Sequence, residues 1–297
     1  MRIPATLRHL LGPLELIHAQ AGPRLFRLAR LGVFALWIVK LLLDPVWRLA
    51  QLPPELIQPV GLLAWLSPER VPFLWSAPGL TTLWIATLIV LALALTGRAF
   101  APLATVAALL LTIYSSIIRS FGPAVHTDIV LLLAVYAFAL FAWADLAQRR
   151  IALARTDNTS SSLPLVTIVA LLCLTYCLVG LNRTFVSPQT FTGNSMEVWT
   201  IDASLRAYYF DTGIGWRLPD WPWIVFFLRL GLPVVTLFEI TAPLCLVSSR
   251  YRWLFMLVMI PFHLLSLVLM NIFFFDDLFL YLLLIDWSRW FPALRSA

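Results

Sequence analysis

The chain has 297 residues, of which 61% are hydrophobic and 12% are charged, and its mean hydropathy is +0.89. Soluble domains carry about 25% charged residues, so this composition excludes an ordinary soluble enzyme. The formal net charge is +6, but no soluble domain is predicted that could carry a basic surface for nucleic acid. The positive charge instead favours contact with anionic membrane lipids. The predicted fold class is all-α, a polytopic transmembrane helical bundle.

Apolar runs along the chain predict about eight membrane-spanning helices, because roughly 18 to 20 residues cross about 30 Å of hydrocarbon. In chain order they lie near Leu28–Leu43, Gly79–Thr96, Ala99–Ile118, Val125–Leu146, Leu163–Leu181, Pro222–Val247, Trp253–Met270 and Leu278–Trp290. Residues 1–27 are predicted to form a cytoplasmic amphipathic segment, and residues 28–297 a single transmembrane domain. Within it, residues 44–78 and 184–221 are predicted to be outward segments.

The distribution of arginine predicts the orientation of these helices. Thirteen of the twenty arginines fall on one predicted side of the membrane and six on the other. Because positively charged loops are retained on the cytoplasmic side, both termini are predicted to be cytoplasmic. No cleavable signal peptide is apparent, since the first apolar stretch begins only near Leu28. A multi-pass protein of a cell membrane, with the bacterial inner membrane favoured, is the predicted location.

Ionisable residues inside the apolar runs are the sharpest functional signals, because an unpaired charge in hydrocarbon costs at least about 2.5 kcal/mol. Glu239 and His263 lie within the sixth and seventh predicted helices. An antiparallel hairpin of these helices could bring the carboxylate to the imidazole. Such a pair either relays protons in catalysis, or holds the headgroup of a ligand, or neutralises two buried groups as a structural pair.

Three further polar residues lie near predicted helix ends. Arg229 either reaches outward to the interface or binds an anionic ligand. His126 and Asp128 either line the mouth of an outward cavity or simply begin the fourth helix, where the helix dipole favours a carboxylate. The three cysteines are interpreted as apolar packing residues, and no metal site is predicted.

Three stretches of the sequence are similar to the HTTM superfamily, the membrane domain shared by vitamin K-dependent gamma-carboxylase and many bacterial proteins. One runs from His126-Thr-Asp-Ile-Val to Ala142-Trp-Ala-Asp145. A second, the most specific, is Tyr176-Cys-Leu-Val-Gly180-Leu-Asn-Arg183 followed by Gly193-Asn-Ser-Met-Glu197. The third is Phe238-Glu239 with Phe262-His263 and the Phe-rich run to Phe279.

The resemblance implies a lysine that acts with a reduced quinone, oxygen and carbon dioxide to carboxylate glutamyl side chains. The only lysine of this chain is Lys40, and Asn182-Arg183 stands at the matching position. Arginine stays protonated and asparagine has no basic amine, so carboxylation by that route is not expected. What the resemblance still implies is the bundle and an outward cavity lined by His126, Arg183, Glu197, Glu239 and His263. The ligand-binding candidates of the sequence as a whole are His126, Asp128, Asn182, Arg183, Met196, Glu197 and Arg229.

Two functional hypotheses follow from these residues. The first is an integral membrane subunit or binding module whose cavity holds a quinone, a lipid or another apolar molecule, or which docks a larger membrane complex. The second is a membrane enzyme of quinone-linked or lipid chemistry, related to gamma-carboxylase, with Glu239 and His263 as the proton-handling catalytic groups. A quinone is the cofactor that the resemblance suggests, and the residues themselves name none.

Overall fold

A computed structural model describes residues 15–18, 21–53, 56–120, 128–151, 162–191, 195–205, 213–272 and 274–291. Helices make up nearly all of the regular structure in these residues, and none of them forms a strand. The chain divides into two compact units. Unit one comprises Met1–Ala19 and Val169–Asp286, and unit two comprises Gln20–Ile168 and Trp287–Ala297.

Unit two contains four long helices. They are α1 (Pro23–Leu43), α2 (Ala77–Leu95), α3 (Phe100–Arg119) and α4 (Ile129–Ile151). Short helical turns, rich in proline and tryptophan, lie between α1 and α2, and one more follows near the end of the chain. They are Val46–Gln51, Gly61–Ala64, Pro72–Trp75 and Trp287–Trp290. The proline that begins α1 suits a first helical turn, because the missing N–H would have no partner there.

Large apolar side chains fill the core of unit two. Phe34 and Trp37 of α1 are fully buried, and Phe34 packs against Phe138 of α4 with ring centroids 6.4 Å apart. The indole N–H of Trp37 donates to the carbonyl oxygen of Leu131 at 3.3 Å, which satisfies its one polar atom. Lys40 is also buried, at 4% exposure, with its ammonium 6.0 Å from the Trp37 ring.

Unit one contains most of α5 (Ser162–Leu181), which a π-helical turn at Asn182–Val186 extends. The following helices are α6 (Ser195–Ser204), α7 (Pro222–Thr241), α8 (Ser249–Met270) and α9 (Phe275–Leu280). Short 3₁₀ turns join or extend them at Pro188–Phe191, Gly215–Asp220, Ala242–Leu246 and Tyr281–Leu284. Ser248 caps α8, since its hydroxyl accepts a hydrogen bond from the backbone N–H of Tyr251.

A short N-terminal stretch belongs to unit one. The backbone N–H groups of Glu15 and Ile17 donate to the carbonyl oxygens of Val247 and Leu246 at 2.9 and 2.8 Å. The side chain of His18 is fully buried, and its Nε2 donates to the carbonyl oxygen of Leu283 at 2.6 Å. Hydrogen bonds therefore attach the described part of the predicted N-terminal segment to the chain just after α7 and to the turn that follows α9.

Six helices of the described chain are long and apolar enough to cross a membrane, which confirms the prediction of a multi-pass helical membrane protein. They are Ala77–Leu95, Phe100–Arg119, Ile129–Ala147, Ser162–Val186, Pro222–Leu246 and Ser249–Met270. The first predicted helix exists as α1, but Arg27, Arg30 and Lys40 leave it too polar to join them. The last predicted helix, Leu278–Trp290, is broken into short turns.

The surface of α7 is suited to lipid. Large apolar side chains along it are exposed, namely Trp223, Phe226, Phe227, Leu230, Val234 and Leu237. A helix that leaves so much apolar surface uncovered in a chain with several membrane-length helices is best explained by contact with acyl chains.

Candidate functional site

An ion pair joins the end of α5 to α7 inside unit one. The Nη1 of Arg183 donates to Oε2 of Glu239 at 2.5 Å and to the hydroxyl of Thr236 at 3.0 Å. The Glu239 side chain is only 3% exposed and that of Arg183 15%, so the two charges neutralise each other in an apolar segment. Arg183 therefore acts as the counter-ion of Glu239.

The close approach of α5 and α7 depends on Gly180. A Cβ atom at this position would lie 2.8 Å from Cγ1 of Ile240 and 2.9 Å from Cβ of Glu239. The π-helical turn begins two residues later, at Asn182. Such turns contain one more residue than an α-helical turn and are common at functional sites. Gly180 thus brings the backbones together, and the turn places Arg183 opposite Glu239.

A second polar cluster in unit one contains one histidine and two tyrosines. Nε2 of His263 lies 2.8 Å from the hydroxyl of Tyr176 and 2.8 Å from that of Tyr281, and the two hydroxyls are 2.5 Å apart. All three residues are buried, and they come from α5, α8 and the turn after α9. The ring of Phe274 covers His263 with centroids 4.5 Å apart. We call these three residues the Tyr–His–Tyr cluster.

The hydrogens of the Tyr–His–Tyr cluster outnumber the hydrogen bonds that it can form. The neutral cluster has one hydrogen on each hydroxyl and one on the imidazole. If Nδ1 carries the imidazole hydrogen, that N–H has no acceptor in the cluster, and if Nε2 carries it, one hydroxyl has none. Nδ1 of His263 is buried without a hydrogen-bond partner in the described structure. In either tautomer, one hydrogen of the cluster therefore has no acceptor within the cluster.

A third polar pair lies at the edge of an open cleft. Nε of Arg229 donates to Oε1 of Glu197 at 2.8 Å, and Nη2 donates to the same oxygen. The cleft has a volume of about 380 Å³ and is otherwise lined by apolar side chains. Its lining residues are Glu197, Ile201, Leu218, Pro219, Pro222, Val225, Phe226 and Arg229.

Helical periodicity explains why these residues face one cleft. Glu197 and Ile201 are four residues apart on α6, and Pro222, Val225, Phe226 and Arg229 follow the three-and-four spacing of one face of α7. The turn Gly215–Asp220 lies between α6 and α7 in the chain. Gly215 allows this turn to pack closely against the end of α8, because a Cβ there would lie 2.3 Å from the carbonyl oxygen of Leu269. We call this feature the Glu197–Arg229 cleft.

The structure distributes the predicted site residues over several contacts. Glu239 and His263, predicted to meet each other, instead bond to Arg183 and to the two tyrosines. Met196 is buried in α6, and Asn182 is exposed at the start of the π-helical turn. Asp128 forms an ion pair with Arg119 within unit two. His126 lies outside the described residues.

Sequence reasoning missed Tyr176, Tyr281 and Thr236 as members of the site. The signal that could have found the tyrosines is the rule that a buried tyrosine hydroxyl needs a hydrogen-bond partner. His263 is the only histidine in the six membrane-length helices, so it is a partner that such a hydroxyl could use. Threonine gives no comparable signal, because its hydroxyl can bond to its own helix.

Comparison with protein-family models, with curated proteins and with solved structures found no match to this chain. Among the described residues, no group of three or more His, Cys, Asp and Glu side chains could hold a metal ion. The candidate functional features of unit one are the Arg183–Glu239 pair, the Tyr–His–Tyr cluster and the Glu197–Arg229 cleft.

Proposed function

We propose that the protein is an integral membrane binding module that holds an amphiphilic molecule in the Glu197–Arg229 cleft. The observation that carries this proposal is the pairing of apolar walls with one exposed cation at the cleft edge. Ligand sites are commonly apolar with a few placed polar groups, and this cleft has that composition. A lipid or a quinone has a polar end for Arg229 and an apolar body for the walls.

The exposure of Arg229 supports binding rather than a purely structural role. Its side chain is 55% exposed although it lies in an apolar helix, whereas Arg183 in the structural pair is only 15% exposed. Two of its five N–H donors bond to Glu197, so others remain for a phosphate or carbonyl oxygen. Trp221 and Trp223, beside the cleft residue Pro222, are typical of the membrane interface, where polar headgroups lie.

The proposal is tested by mass spectrometry of the molecules that remain on the tagged full chain after extraction in mild detergent and stringent washing. The wild type is expected to retain one class of amphiphile in stoichiometric amount. Arg229→Gln should reduce that amount about tenfold, the effect of losing a charge-assisted hydrogen bond. Arg217→Gln is the matched control, since Arg217 is exposed and stacks on Trp216 at 4.7 Å.

Two results would contradict this function. Equal retention by the wild type and Arg229→Gln would show that the cleft is not the binding site. Stoichiometric partner polypeptides without any enriched amphiphile would instead favour a subunit of a larger membrane complex.

The Tyr–His–Tyr cluster favours a second candidate, a membrane enzyme of quinone-linked or lipid chemistry in which His263 and Glu239 handle protons. A buried imidazole that contacts two hydroxyls has the geometry for proton transfer. The test is His263→Gln, with folding and amphiphile content measured beside turnover of the retained molecule. Loss of turnover with both preserved supports the enzyme, whereas loss of assembly supports a structural role.

We also propose that the chain shares the HTTM ancestry suggested by its sequence stretches. Asn182-Arg183 stands at the position of the family's lysine, and Arg183 forms an ion pair with Glu239 there. The Arg183→Lys variant places a lysine amine at this position. We expect it to have no carboxylase activity, because Glu239 would hold the lysine as an ammonium ion, which cannot act as a base. Carboxylation of a glutamyl peptide by this variant would contradict that interpretation.

A further inference from the structure

The Glu197–Arg229 pair leaves hydrogen-bonding capacity unused on both side chains. Both bonds from Arg229 go to Oε1 of Glu197, and Oε2 is buried without a hydrogen-bond partner in the described structure. A carboxylate oxygen without a donor is costly when it is shielded from water. The pair therefore has an unmet acceptor beside the remaining donors of the guanidinium.

We propose that the cleft selects the phosphoethanolamine group, with the phosphate on Arg229 and the ammonium on Glu197. This inference rests on the proposed amphiphile-binding function and names the headgroup class. The pair is neutral as a whole, so a headgroup with one anion and one N–H-bearing cation matches both members. No charge is then left without a counter-charge at the edge of an apolar cleft.

The two charges also define which headgroups bind poorly. A purely anionic headgroup gains from Arg229 but is repelled by Glu197, whose carboxylate lies at the same edge. A quaternary ammonium, as in choline, has no N–H and cannot donate to Oε2. Oε2 is buried in the observed orientation, so the ammonium contacts it only after the Glu197 carboxylate rotates toward the cleft. Rotation about the last bond of a glutamate side chain is soft, which allows this change.

The apolar walls suit the part of a lipid that follows its headgroup. Val225 and Phe226 of α7 and Leu218 of the preceding turn line the cleft next to the ion pair. From Phe226 the exposed apolar face of α7 continues through Leu230, Val234 and Leu237, at the spacing of one helical face. An acyl chain can therefore follow α7 while its headgroup stays at Arg229.

The experiment is native mass spectrometry of the detergent-purified full chain titrated with lipids of identical acyl chains. The series is phosphatidylethanolamine, its N-methyl and N,N-dimethyl derivatives, phosphatidylcholine and phosphatidylglycerol. Phosphatidylethanolamine is expected to bind at least about tenfold more tightly than phosphatidylcholine, with affinity falling as N–H donors are lost. Phosphatidylglycerol should bind more weakly than phosphatidylethanolamine because of Glu197.

Variants assign the selectivity to individual side chains. Glu197→Gln should remove the preference over phosphatidylcholine, and Arg229→Gln should weaken binding of every phospholipid in the series. Glu69→Gln and Arg217→Gln remove the same charges from exposed side chains outside the cleft. They should change neither the preference for phosphatidylethanolamine over phosphatidylcholine nor the affinity for the phospholipids of the series. The methylation series on the wild type needs no variant, so a folding defect in Glu197→Gln leaves the main test intact.

The outcomes separate this inference from the proposed function. Equal binding of phosphatidylethanolamine and phosphatidylcholine overturns the headgroup assignment while amphiphile binding stands. Failure of every lipid in the series, and of a quinone titrated in the same way, to bind overturns both. Water-soluble phosphoethanolamine is added as a competitor: displacement of the lipid supports recognition of the headgroup alone, and selectivity without displacement supports a lipid whose tails are needed.

Discussion

At the scale of single residues, the Arg183–Glu239 pair is expected to stabilise the fold through mutual neutralisation. Arg183→Gln leaves a buried carboxylate without its cation and should lower the free energy of unfolding by about 3 to 5 kcal/mol. Glu239→Gln should also destabilise the protein, because Arg183 then lacks its counter-ion. The double variant Arg183→Gln, Glu239→Gln should be more stable than the Arg183→Gln single variant, since neither charge remains.

Thermal unfolding of the four proteins in the same detergent checks this coupling. The effects of the two single substitutions should sum to more than the effect of the double substitution. Strict additivity would show that the two side chains do not interact in the folded protein, and would remove the case for Arg183 as a counter-ion.

The buried His18 makes stability depend on pH. Burial lowers the pKa of His18 below its usual 6.5, so the unfolded chain binds a proton at higher pH than the folded chain does. The contribution of His18 is therefore complete above about pH 6.5 and is lost as pH falls below it. The nearby charges are Asp286, which favours the protonated form, and Arg252, which opposes it.

The measurement is the unfolding midpoint of the wild type and of His18→Gln at a series of pH values from above about pH 6.5 to well below it. For one proton the free energy of unfolding should change by at most about 1.4 kcal/mol per pH unit in the wild type. Glutamine keeps an N–H for Leu283 but has no proton to gain, so its curve should be flatter. Parallel curves for the two proteins would assign the pH dependence to other groups.

The partners of the buried polar side chains could be predicted only in part from the sequence. Burial of Glu239 and His263 followed from their place in apolar runs, since a charged or polar group there needs a partner. The identity of each partner depends on the rotation of one helix against another. Arg183 is 56 residues from Glu239, and Tyr281 is 105 residues from Tyr176. Single-sequence periodicity carries no information on such pairs.

At the scale of elements, two glycines provide a matched test of helix packing. Gly180 lies where α5 meets α7, whereas a Cβ at Gly231 of α7 would have no atom within 4 Å outside its own helix. Gly180→Ala should destabilise the protein by about 1 to 3 kcal/mol through overpacking. Gly231→Ala should be neutral or stabilise it by up to about 1 kcal/mol, because alanine favours helix more than glycine does.

Unfolding midpoints in detergent decide between these expectations. If both substitutions stabilise the protein, the contact of Gly180 with Glu239 and Ile240 is looser than the structure shows. Gly180→Ala is also made in the Arg183→Gln, Glu239→Gln double variant, which has no ion pair. If it destabilises that protein too, close packing of the backbones is the cause rather than displacement of the ion pair.

The extents of the helices were the most predictable feature. All six membrane-length helices begin and end within five residues of their predicted bounds, because a long apolar run leaves few alternatives. In the segment Pro222–Leu246 the α-helical part, α7, ends at Thr241, and a 3₁₀ turn at Ala242–Leu246, which contains Pro243, continues it. The predicted last helix contains Asp286, whose polarity interrupts the apolar run, and the chain there forms short turns instead.

At the scale of the whole molecule, the arginine distribution predicts the direction in which each helix crosses the membrane. Alkaline phosphatase fused after Ser120 or after Phe191 should be active, because both points are predicted to lie outside the cytoplasm. Fusions after Arg98 or after Ile151 should be inactive and should fluoresce when green fluorescent protein replaces the enzyme. The reverse pattern would contradict cytoplasmic termini, and a mixed pattern would contradict the number of crossings.

The candidate functional sites all lie in one of the two compact units. The Arg183–Glu239 pair, the Tyr–His–Tyr cluster and the Glu197–Arg229 cleft all lie in unit one. The Arg119–Asp128 pair lies in unit two. Substitutions in the Tyr–His–Tyr cluster and the Glu197–Arg229 cleft are therefore expected to change ligand binding or turnover, whereas Arg183→Gln and Asp128→Asn should affect stability alone.

The single lysine has a practical consequence for labelling. Amine-reactive reagents can modify only one side chain of this chain, Lys40, and its 4% exposure keeps it out of their reach in the folded protein. Side-chain labelling therefore records the opening of α1 and the loss of its packing around Trp37. The same chemistry leaves every arginine of the proposed binding and structural sites untouched, so an opening rate can be measured on a protein whose Arg183–Glu239 and Glu197–Arg229 pairs are intact.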